Sequence, residues 1–182
     1  MTPNIEKNPN IIIVDDHLIF RQGLKAIINF ENIGTVIGEA SNGEEFIEMI
    51  LKLKPDLVLM DIDMPNMNGI EATSKALKML PDLKIIAFTV FGDEESYRKM
   101  FEIGARGYIL KSDGFNELEK AISLVLKGEK YSSMNLNCDF NTEFQSENVS
   151  DTEREADRKT KLKVKLNFFP WVVKKNKCIN FD

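Results

Sequence analysis

Five short apolar runs alternate with amphipathic segments, and this alternation leaves the chain few architectures. The runs are "IIIV" (11–14), "TVIGEA" (35–40), "DLVLM" (56–60), "KIIAFT" (84–89) and "GYIL" (107–110). Strands that read as nearly continuous apolar sequence need cover on both faces, as in parallel sheets. Between them, apolar residues recur at helical spacing. They are Phe20, Leu24, Ile27 and Ile28; then Phe46, Ile50 and Leu53; then the segment 70–80; then Tyr97, Met100 and Phe101; then Leu118, Ala121, Ile122 and Val125. Pro55 and Pro81 stop the second and third helices, Asp93 caps the fourth and Gly128 stops the fifth. The pattern predicts an α/β fold: a doubly wound, five-stranded parallel sheet over residues 10–128, with helices on both faces. Residues 1–9 read as a disordered start, 129–150 as a polar linker and 151–182 as a tail.

Such sheets bind ligands beyond the carboxyl ends of their strands, so whatever follows each strand is gathered in one place. Asp15 and Asp16 follow the first strand, Asp61 the third, and Lys111 the fifth; Thr89 ends the fourth. Three carboxylates brought together repel one another unless a cation joins them. An all-oxygen set favours a hard ion, and Mg2+ with carboxylates, waters and a phosphate oxygen fits best. Lys111 adds a positive charge that balances the acids at rest and stabilises phosphoryl charge during transfer. The Thr89 hydroxyl can donate to a phosphoryl oxygen. A carboxylate can act as nucleophile and form an aspartyl phosphate, and Asp61 on the central strand is the natural acceptor.

The motifs "VDDH" (14–17), "DLVLMDIDMPNMNG" (56–69), "AFT" (87–89) and "GYILK" (107–111) stand in this order on these elements. Together they resemble the response-regulator receiver domain of two-component signalling, over roughly residues 10–128. The resemblance implies the flavodoxin-like strand order 2-1-3-4-5, which is the general order for that fold. It implies Asp61 as phosphoacceptor, a sensor histidine kinase as phosphoryl donor, and Asp15 and Asp16 as the acids that hold Mg2+. Asp63 stands where the family uses a backbone carbonyl as metal ligand; a plain loop role is the other reading. Thr89 and Lys111 match the switch hydroxyl and the phosphate-binding lysine. Tyr108 matches the switch aromatic, and a half-buried strand aromatic is its alternative. Val90 departs from the small residue many receivers carry there; it is expected to narrow access to the phosphoryl group and alter its lifetime. His17, the chain's single histidine, is expected to start the first helix and to be replaceable. Pro65 and Gly69 are expected to shape the loop after Asp61. The family also implies a phosphorylated signalling protein rather than an enzyme, with dimerisation on phosphorylation. "DID" (61–63) has a rival likeness to haloacid-dehalogenase-type phosphatases, but those carry the motif on an early strand and need later acids.

Charge is unevenly spread. Residues 151–182 carry net +4 and residues 1–150 net −9, within −5 overall. "GARGYILK" and "GEKYSS" (128–133) resemble receivers joined to a LuxR-type helix-turn-helix, whose output is transcription control through DNA. "TERE" (152–155) matches the start of that module, and then the likeness stops. "KLKVKLNF" (161–168) has a strand period and Pro170 interrupts any helix. The favoured expectation is a truncated or altered DNA-binding remnant. A nucleic-acid-binding basic tail using Phe168, Phe169 and Trp171, a tail that docks on a partner or an anionic membrane, and a disordered tail are the alternatives. Cys138 and Cys178 lie far apart without metal or disulfide spacing. The start lacks an apolar signal core and no run is long enough to span a membrane, so the expected location is the cytoplasm.

Overall fold

The computed structural model describes residues 8–134. The elements run β1 (Asn10–Val14), α1 (Leu18–Phe30), β2 (Thr35–Ala40), α2 (Gly43–Leu53), β3 (Leu57–Met60), α3 (Gly69–Met79), β4 (Lys84–Thr89), α4 (Glu94–Glu102), β5 (Gly107–Leu110), α5 (Phe115–Leu126) and β6 (Tyr131–Ser132). A 3-10 turn, Lys111–Asp113, joins β5 to α5. The sheet is parallel throughout, in the order β2-β1-β3-β4-β5-β6.

The strands are apolar on both faces because both faces are covered. Ile12, Val14, Val58, Met60, Ile85 and Ala87 pack with Phe46, Ile50, Ala72, Ala76 and Met100 of α2, α3 and α4. Ile11, Ile13, Leu57, Leu59, Ile86 and Phe88 face the other way, onto Leu24 and Ile28 of α1 and Leu118, Ala121, Ile122 and Val125 of α5. Each fully buried Ile, Leu or Phe stabilises by about 1.5–3 kcal/mol, so the fold depends on both helix layers. The helix starts are sealed locally. Asn42 accepts from the Glu44 and Glu45 amides, Asn68 from Glu71 and Asp93 from Ser96, at 2.8–3.0 Å. The bond from the Ser96 amide holds the Asp93 carboxyl below its ordinary pKa. The starts of α1 and α5 are exceptions: His17 and Gly114 sit at the cap positions without a side-chain cap bond.

Among the described residues the sheet has six strands where the sequence predicted five. After α5 the chain turns at Gly128, whose φ of +92° favours glycine. Tyr131 and Ser132 then pair with Gly107 and Tyr108. The Tyr131 amide donates to the Arg106 carbonyl at 3.0 Å and the Ser133 amide to the Tyr108 carbonyl at 3.1 Å. The physical reason is the exposed edge of β5, whose main-chain groups the following segment satisfies. A two-residue strand is too short for periodicity to reveal. The first five strands keep the expected order. Residues 1–7, the rest of the expected linker (135–150), both cysteines and the tail expectations at 151–182 lie outside the described residues. Among the described residues, no helix is long and apolar enough to cross a membrane.

Candidate functional site

β1, β3 and β5 end on the same side of the parallel sheet, and the residues after them meet. Asp61, directly after β3, is 3% exposed and Asp15, directly after β1, is 2% exposed. Lys111 follows β5 and reaches back between them. Its Nζ lies 2.6 Å from Asp15 Oδ2 and 2.5 Å from Asp61 Oδ2. The same ammonium stands 4.6 Å from the centre of the Phe20 ring, which packs against Phe88. Asp61 Oδ1 accepts from the Ile62 amide at 2.7 Å, and Asp15 Oδ1 accepts from the His17 amide at 2.9 Å.

Burial pushes the Asp61 carboxyl above its ordinary pKa; Lys111 opposes that rise and the Asp15 charge adds to it. At Asp61, burial therefore outweighs the lysine. Asp16 adds a second observation. Its side chain is 30% exposed, and its Oδ1 lies 2.7 Å from His17 Nδ1. That approach is not aligned as a hydrogen bond, and Asp16 Oδ1 is a buried acceptor without one. Asp15, Asp16, His17 and Asp61 each offer a ligand atom, all within 4.8 Å of one another. A buried oxygen that makes no hydrogen bond, within a set of four close ligand atoms, fits a bound cation.

The loop after Asp61 is built for close approach. A Cβ at Gly69 would strike the Asp61 carbonyl oxygen, so only glycine fits there. Gly69 then starts α3, and its amide donates to Ile62. This agrees with the loop role expected of Gly69.

Four of the expected site residues, Asp15, Asp16, Asp61 and Lys111, come together. The Asp63 side chain is exposed and lies outside the cluster. Thr89 ends β4 opposite Leu110, one residue before Lys111 on the neighbouring strand. It is fully buried and its Oγ1 has no hydrogen-bond partner. Tyr108 is fully buried, more deeply than a half-buried strand aromatic, and meets the Tyr97 ring edge-on at 5.3 Å. Its hydroxyl donates to the Phe91 carbonyl at 3.1 Å. Burial, then the Asp93 and Asp63 charges, push that phenol well above its ordinary pKa, so it stays a donor. Val90 is 53% exposed. His17, expected to be replaceable, stands inside the acidic cluster. Its position directly after the acid pair was the signal for that.

The sequence profile of the response regulator receiver domain matches residues 11–123. The chain belongs to this family. The receiver is 36% identical over 126 residues to the transcriptional regulatory protein DegU of Brevibacillus brevis, covering 69% of this chain and 53% of DegU. It is 41% identical over 127 residues to the oxygen regulatory protein NreC of Staphylococcus aureus, covering 69% and 58%. Among solved structures it resembles a LuxR-family two-component response regulator from Aurantimonas sp. SI85-9A1, at TM-score 0.66 and 34% identity over 69% of this chain and 89% of that one. It also resembles the isolated receiver domain of RcsB from Salmonella enterica, at TM-score 0.64 and 26% identity, covering 69% and 94%. The chain spans a little over half the length of the curated relatives it matches. What it shares with them is the receiver of a two-component response regulator.

Proposed function

We propose that Asp61 accepts a phosphoryl group from a sensor histidine kinase, and that the chain signals through the change this causes. The observation that carries the reading is the Lys111 ammonium held between two buried carboxylates, Asp15 and Asp61. In transfer, an Asp61 oxygen forms the new bond to phosphorus in line with the bond to the donor that breaks. The contact of Lys111 Nζ with Asp61 Oδ2 supports a role in meeting charge on the transferred group. Asp15, Asp16, the Asp61 carboxylate and the Asp63 backbone carbonyl would hold Mg2+, which supplies charge neutralisation at the phosphoryl oxygens. The exposed side chain of Asp63 agrees with a role confined to its backbone.

The free Thr89 hydroxyl and the Tyr108–Phe91 bond support a switch role for both residues. A phosphoryl group on Asp61 offers Thr89 an acceptor, and a shift of the strand end would disturb the loop that Tyr108 holds. Val90, at that loop, is proposed to tune phosphoryl lifetime. DegU is named a transcriptional regulatory protein, and control of transcription in the cytoplasm, with dimerisation on phosphorylation, is the output proposed for the whole protein.

The test is intact-mass analysis after incubation with Mg2+ and a small phosphoryl donor. One added phosphoryl group is expected, absent from Asp61→Asn and absent without Mg2+. Addition to Asp61→Asn at the wild-type level would overturn the assignment. Sustained turnover of a generic phosphomonoester would favour a phosphatase instead.

A further inference from the structure

α1 turns Arg21, Leu24 and Ile28 inward. A charged residue on that stripe is desolvated at a cost unless its donors find acceptors. Arg21 is 9% exposed. Its Nη1 donates to the main-chain oxygen of Asp15. Its Nε stands 3.4 Å from Glu39 Oε2, an ion-pair approach without hydrogen-bond alignment. Lys25, one turn along α1, donates to the other Glu39 oxygen at 2.7 Å. Glu39 is followed by Ala40, whose carbonyl accepts the Asp15 amide at 3.0 Å. Both main-chain groups of Asp15 are thus tied to the end of β2, the amide directly and the carbonyl through Arg21.

The Asp15 carbonyl belongs to the peptide plane that joins Asp15 to Asp16. An oxygen fixed in that plane fixes where the Asp16 N and Cα lie, and leaves rotation about the bond between them to aim the side chain. No hydrogen bond anchors Asp16 Oδ1, and its near neighbour is the exposed His17 ring, so its placement leans on the backbone. We propose that Arg21, backed by Glu39, is a positioning residue for the acid pair: it locks the turn between β1 and α1 so that Asp15 and Asp16 are held ready for a divalent cation. The proposal rests on the reading of this cluster as a Mg2+ site.

The experiment is calorimetric titration of MgCl2 into the full chain, with urea melts in EDTA on the same samples. The variants are Arg21→Gln, Arg21→Lys, Glu39→Gln and Asp16→Asn. Loss of an outer partner of a metal ligand typically weakens binding about 10–100-fold, and Arg21→Gln is expected near the lower end. Arg21→Lys should recover part of the loss, because an ammonium still donates to the carbonyl but cannot also face Glu39 as a fork does. Glu39→Gln should weaken binding less than Arg21→Gln. A purely structural Arg21 predicts lower stability in EDTA with unchanged Mg2+ affinity, and that result overturns the proposal. If Arg21→Gln does not fold, unchanged affinity in both Arg21→Lys and Glu39→Gln overturns it. Wild-type protein that binds no Mg2+, or Asp16→Asn that binds as tightly as wild type, would instead bring down the site reading, and this proposal with it.

Discussion

β3 has an aspartate at each end, and the two live in opposite worlds. Asp56 precedes the strand, is exposed, and accepts the Asn10 amide at 2.7 Å. Asp61 follows it, is 3% exposed, and shares one lysine with a second buried acid. Residue type, strand and neighbours in the sheet are the same; the end of the strand is the difference. At the amino end the carboxylate closes a main-chain bond and water covers the rest. At the carboxyl end the fold holds buried polar groups short of partners: Asp16 Oδ1 and Thr89 Oγ1 both lie there. Each such group costs about 1–3 kcal/mol. That local cost is what the proposed phosphoryl and Mg2+ site would relieve.

Four experiments would sharpen or break this contrast. The largest effect is expected from Lys111→Met, which leaves two buried carboxylates without their cation. Loss of one charge-stabilising donor lowers transfer about 100-fold or more, read as phosphoryl incorporation into Asp61 over time. Breaking a buried pair costs about 3 kcal/mol, read by urea unfolding without metal. Wild-type stability in this variant would mean the acids are not charged together. Gly69→Ala should cost about 1–3 kcal/mol by overpacking against the Asp61 carbonyl, measured by the same unfolding curve, and should slow phosphoryl acceptance as well. Asp56→Ala should cost about 1 kcal/mol for the lost bond to Asn10 and leave phosphoryl incorporation unchanged. A drop in incorporation there would erase the distinction between the two ends.

The smallest effect is in the pH dependence. The folded-state pKa of Asp61 is raised above the ordinary carboxylate value. Between the two values the folded protein binds more protons than the unfolded one, so stability falls as pH rises through that window. Thermal melts without metal should therefore show wild-type stability declining over the window more than that of Asp61→Asn. Mg2+ should restore more to wild type than to the variant. Equal slopes in the two proteins would argue against a strained Asp61.

Much of this was open to sequence reading. Continuous apolar runs revealed the five longer strands and period-3.6 patterns the five helices, because strands covered on both faces are apolar throughout. Asp15, Asp16, Asp61 and Lys111 were legible because parallel topology sends every strand's carboxyl end to one edge. β6 was not legible; its two residues form a strand only because the edge of β5 is there to receive them. Arg21 was passed over, though it sits on the same inward stripe as Leu24 and Ile28. A charge on a buried stripe was the available signal, and its partner Glu39 lies 18 residues away on another element.

The amino-acid sequence alone determined the order of elements, the both-face burial of the sheet and the set of side chains delivered to its carboxyl edge. These follow from local periodicity and from the rules of parallel sheets, which do not depend on atomic detail. Only the tertiary structure decided that Lys111 bridges Asp15 and Asp61, that Asp16 keeps a buried oxygen free, that His17 joins the acids and that Tyr108 ties down the loop at Phe91. Those are distances between residues remote in the chain, or orientations fixed by them, and burial strengthens each one by taking water away.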